Sequence, residues 1–123
     1  MISFLKAEEQ HQHKNGCGWV ANTATVEATV YVGPNARVFG DARVFGDALV
    51  FGDARVSGDA RVSGNAQVYG DARVYGNAVV SDNALVFGNA VVYGNAQVSG
   101  NAWVFSDARV FGDARVFGYA QIS

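Results

Sequence analysis

Three small sets of residues in this 123-residue chain could do chemistry. His11 and His13 could share a metal ion or act as a general base. Cys17 could be a nucleophile. Arg37, Arg55 and Arg73, followed by Tyr75 and Tyr93, could hold an anion. Each signal is thin. A structural zinc ion takes four ligands, and His11-Gln12-His13 supplies two, so no metal site is expected and the segment reads as mobile and solvent-exposed. Cys17 has no activating base near it in sequence, and a lone cysteine forms no internal disulfide, which fits a reducing compartment. The arginines offer paired N–H donors for phosphate or carboxylate, and the tyrosines could stack on a nucleotide-like ligand. The plainer reading of the same arginines is a solvated ladder partly neutralised by nearby Asp. No phosphate-binding glycine loop, dinucleotide fingerprint or nucleophile elbow is present.

Composition narrows the classes further. Half the residues are apolar and 16% are charged, which argues against disorder. Nine Lys and Arg against eleven Asp and Glu give a net charge of −2, so bulk electrostatics favours neither nucleic acid nor an acidic membrane. No apolar run approaches the ~20 residues that cross a bilayer, and the first residues are too short in apolar character for a signal peptide. A soluble cytoplasmic protein is expected. The 15 glycines against one proline exclude collagen and leave either a linker or a tightly turned β structure.

Spacing decides between these, because the candidate residues sit on a repeat. Residues 16 to 123 divide into 18 hexads with no insertion, for example Gly46-Asp47-Ala48-Leu49-Val50-Phe51. The fifth position is Val in 17 hexads and Ile122 in the last, and the third is Ala in 16. On a strand these two positions share a face, so Ala and Val point inward and positions four and six outward. Gly holds 13 first positions and Asn or Asp 14 second positions, a polar corner after each short strand. Pro34 at a first position requires φ near −65° there, so the left-handed residue of the corner is expected at the neighbouring Asn or Asp. Calcium-binding β-rolls repeat every nine residues and do not fit.

This pattern, as in Val44-Phe45-Gly46-Asp47-Ala48-Leu49, closely resembles the bacterial hexapeptide-repeat family over residues 16–123. The resemblance implies an all-β, single-domain left-handed parallel β-helix of about six coils, three hexads to a coil. At a strand spacing of about 4.8 Å the prism would stand about 29 Å tall. Residues 1–15 fall outside the repeat and are expected to cap the first coil through Ile2, Phe4 and Leu5. No matching segment follows Ile122, so end-to-end pairing at the last coil, or a chain cut from a longer one, is expected. Family members are often acyltransferases with a histidine base and a loop between repeats. Here the only histidines are His11 and His13, and no hexad is interrupted, so catalysis is not expected and no cofactor is called for. Acyl-CoA enters only under an acyltransferase alternative whose site lies between protomers.

Every eighteenth residue shares a face. Faces A and B carry all seven arginines, with Arg37, Arg55, Arg73 and Arg109 on A and Arg43, Arg61 and Arg115 on B. Face C carries none and presents Tyr31, Leu49, Phe51, Tyr69, Leu85, Phe87, Trp103 and Phe105. Such rings can ladder down the stack, or they can form an interface, and enrichment of aromatics with depletion of charge marks interface cores. The family resemblance implies parallel homotrimers, which suits one distinct face. The expected function is a non-catalytic scaffold or interaction module, self-associating through face C. A small acyltransferase and a binder of a small anionic or nucleotide-like ligand are the alternatives.

Overall fold

The computed structural model describes residues 9–123, so Ile2, Phe4 and Leu5 lie outside the described residues. The described residues form an all-β solenoid with no α-helix. After β1 (Gln10–Gln12) and β2 (Trp19–Ala21), a two-residue strand recurs every six residues, from Thr25–Val26 to Gln121–Ile122. Strands 18 residues apart pair in parallel, as Arg73 with Arg55 and with Val91, so each coil holds three hexads and the stack has about six coils. The result is three parallel sheets, one per face. β1 lies antiparallel on β2, with His11 opposite Val20.

Valine and alanine fill the interior because their small β-branched or methyl side chains are what a narrow prism admits. From Val30 to Val104 every inward residue is fully buried. The backbone polar groups are satisfied from coil to coil. Asp41, Arg43 and Phe45 donate N–H bonds of 2.9, 2.9 and 3.0 Å to Gly58, Ala60 and Val62 in the next coil, while Ala54 closes its own corner on Phe51 O at 3.4 Å. Corners are therefore part of the hydrogen-bonded wall, and a solenoid of this kind gains stability by stacking one coil on the next.

The corner conformation differs from the sequence expectation. The left-handed residue is the first of the hexad, not the Asn or Asp after it: 13 glycines take positive φ there, joined by Asp82 (60°) and Ser106 (58°). Glycine is favoured at this position because the left-handed corner aims any Cβ at the next coil. A Cβ at Gly58 would come within 2.9 Å of Gly76 N. Asp82 carries a side chain at this position, and its carboxylate accepts the Gly100 N–H at 3.0 Å. Asn22, Ala28 and Pro34 stand at first positions without positive φ, and there side chains take over corner bonding. Thr23 and Thr29 donate their hydroxyls to Gly40 O and Gly46 O, and Glu27 accepts the Gly46 N–H at 2.7 Å.

Candidate functional site

The three faces have different chemistry because their outward columns do. On face A the strands align Trp19, Arg37, Arg55, Arg73, Val91 and Arg109 in register. Three arginines on consecutive coils repel one another. Arg37 is buried, and its pKa is lowered first by that burial and then by the Arg55 charge. Arg55 is half-buried and Arg73 exposed. A cleft of about 350 Å³ lies beside Arg55 and Arg73, with Asp53 and Asp71 at its rim. A second, of about 450 Å³, sets Arg43 and Arg61 against Asp41 and Asp59. Both alternate acid with base, so their fields largely cancel.

A third cleft, of about 270 Å³, is lined by Arg73, Tyr75, Val91, Tyr93 and Arg109. Its tyrosines stack on one another at 5.2 Å, and Tyr93 stacks on Phe111 at 5.4 Å. The sequence assigned Tyr75 and Tyr93 to ligand stacking, but between them the ring faces are taken, and a strand spacing near 4.8 Å leaves no room to insert a third ring. Arg109, which that reading left out, belongs to the cleft with Arg73, whereas Arg37 and Arg55 are not among its lining residues. The signal was available: residue 109 is two coils of 18 beyond residue 73.

Face C carries Tyr31, Leu49, Gln67, Leu85 and Trp103 in register. Beside them Phe51, Tyr69, Phe87 and Phe105 form one continuous stack, with centroids 4.7, 5.1 and 5.3 Å apart and planes within 8°. Trp103 meets Phe87 edge-on at 6.1 Å. The rings thus ladder down the stack. This leaves ring edges, Leu49, Leu85 and a 40% exposed Trp103 on the outer surface.

The histidines correct the reading of a mobile polar segment. His13 is buried, and its Nε2 donates to Val30 O at 2.7 Å, reaching from the entry segment across to the third hexad. His11, exposed on β1, donates from Nδ1 to Asn22 Oδ1 at 2.7 Å. The two rings thus carry the proton on different nitrogens when neutral. Among the described residues no group of three or more His, Cys, Asp or Glu could hold a metal ion. Cys17 is exposed. Among the described residues no helix is long and apolar enough to cross a membrane.

A family profile described as YdcK Beta solenoid repeat matches residues 36–52, 54–68, 66–81, 78–94 and 108–123, together more than half of the chain. No curated protein and no solved structure matches this chain.

Proposed function

This chain belongs to the YdcK beta-solenoid repeat family, and we propose that it serves as a rigid, non-catalytic β-helical scaffold that self-associates as a homotrimer through face C. The observation that carries the reading is the charge-free outward surface of that face, where Leu49, Leu85 and Trp103 run alongside an aromatic stack four rings long. Stacking rigidifies the rings before association, so little side-chain entropy is lost on contact. A C3 arrangement gives each prism one face toward the axis and leaves the arginine-bearing faces in water. In this reading the coils wind left-handed, as the hexapeptide pattern implies.

Leu85→Arg combined with Trp103→Arg should convert the trimer to a monomer in light scattering. The far-ultraviolet β spectrum should stay unchanged, because both side chains point out of the coil. An unchanged mass in the double variant removes face C as the contact.

One observation favours the acyltransferase alternative. His11 Nδ1 is engaged by Asn22 Oδ1, which leaves Nε2 with its lone pair directed away from that bond, the arrangement of an oriented general base. Under that reading acyl-CoA should raise the melting temperature and His11→Ala should abolish acyl transfer while keeping the fold. Under the scaffold reading neither coenzyme A nor acyl-CoA shifts the melt.

A further inference from the structure

We propose that the cleft between Arg73 and Arg109 on face A is a binding site for a compact oxyanion, a phosphate or a carboxylate. The site arises from a break in the repeat. Arg37, Arg55 and Arg73 occupy successive coils of one column, the next coil places Val91 there, and Arg109 follows. Valine is four heavy atoms shorter in reach than the arginine the column would otherwise continue with, and the cleft of about 270 Å³ opens over it. Two strand spacings, about 9.6 Å, separate the Arg73 and Arg109 backbones. Side chains of arginine length can close that gap from both sides onto one anion.

The chemistry of the lining points in the same direction. Arg73 and Arg109 each bring a planar fork of N–H donors that matches an oxyanion. Tyr75 and Tyr93 have their facing ring planes occupied by each other, which leaves their edges and hydroxyls to line the space, and the edge of an aromatic ring is its electropositive side. Val91 contributes an apolar floor. No carboxylate lines this cleft, whereas Asp53 and Asp71 line the one beside it and Asp41 and Asp59 line the one around Arg43 and Arg61. The overall charge of −2 therefore hides a local positive site. Phenol and guanidinium can both donate here, and of the two arginines only Arg73 also lines the neighbouring cleft that holds Asp53 and Asp71.

Isothermal titration of the full chain with inorganic phosphate and, separately, with citrate, at constant ionic strength in chloride buffer, tests the site. At least one of the two should bind saturably with one site per chain. The arm that binds more tightly tells phosphate from carboxylate. Arg73→Gln with Arg109→Gln should weaken that binding at least tenfold, and Val91→Arg, which refills the column, should abolish it. Arg43→Gln with Arg61→Gln should leave it within twofold, and the β circular-dichroism spectrum of every variant should match the parent. Absence of saturable binding to both anions overturns the proposal, as does an equal loss in the two arginine pairs. A single-stranded oligonucleotide that binds while neither small anion does, weakened equally by both pairs, would mean a diffuse polyanion surface and also overturns it.

Discussion

Val80→Asp is expected to abolish cooperative folding. Val80 is fully buried and pairs in register with Val62 and Val98 in the coils on either side. The interior holds Ala and Val, so a carboxylate there finds no cation and no spare N–H, because the neighbouring amides already bond from coil to coil. Burying an unpaired carboxylate costs at least several kcal/mol, even when the group takes up a proton to escape its charge. A domain of this size has about 5–15 kcal/mol in total to lose. Position 80 is also mid-stack, and each coil is held only by its neighbours, so the damage separates the upper coils from the lower ones. The expected result is insoluble protein, or soluble protein without a thermal transition. Val80→Ala, which removes two methyl groups, should fold with a loss of about 2 kcal/mol. A parent-like melting curve for Val80→Asp would contradict the inward assignment of the fifth hexad position.

The second large effect is a contrast between two glycines with the same backbone angle. Gly58 has φ of 64° and Gly112 has φ of 63°. An alanine at either position pays about 1–2 kcal/mol for the left-handed conformation, partly offset by about 0.4–1 kcal/mol from a stiffer unfolded chain. Only at Gly58 does the new methyl also meet the next coil, 2.9 Å from Gly76 N and 3.2 Å from Gly76 O. Nothing lies within 4 Å of a Cβ at Gly112. Gly58→Ala should therefore force adjacent coils apart and cost about 2–4 kcal/mol, with a drop in melting temperature on the order of 10 °C. Gly112→Ala should cost about 1 kcal/mol or less. Equal losses in thermal melts of the two variants would mean that backbone conformation alone, and not the coil-to-coil contact, selects glycine.

That pair also shows where reading the sequence stops. The six-residue period and the inward Ala and Val were legible by counting along a chain that never slips register, whereas three hexads per coil, and with it the assignment of each outward residue to a face, followed from the resemblance to the hexapeptide-repeat family. The position of the left-handed residue was not legible. Glycine and Asn or Asp both tolerate positive φ, so residue types alone could not choose between adjacent corner positions. At the left-handed position the backbone of the next coil, 18 residues away, then favours glycine over a residue with a Cβ.

The same limit applies to the candidate site. Stacking of Tyr75 on Tyr93 closes ring faces that look available in a linear sequence, and the missing arginine at Val91 becomes a cleft only when Arg73 and Arg109 are seen on either side of it. His13 reads as a polar residue in a polar segment, yet its ring is buried against Val30 O because the entry segment folds back over the first coil. These features depend on contacts between distant hexads, and a periodic sequence states which residues are aligned without stating which of them touch.

Self-association through face C, as proposed above, makes the mass of the protein depend on its concentration. Light scattering on the unaltered protein, across a hundredfold range of concentration, tests it most directly. A trimer joined through face C gives three times the 13.0 kDa chain mass over most of that range, falling toward a single chain on dilution. A mass of one chain at every concentration would contradict it.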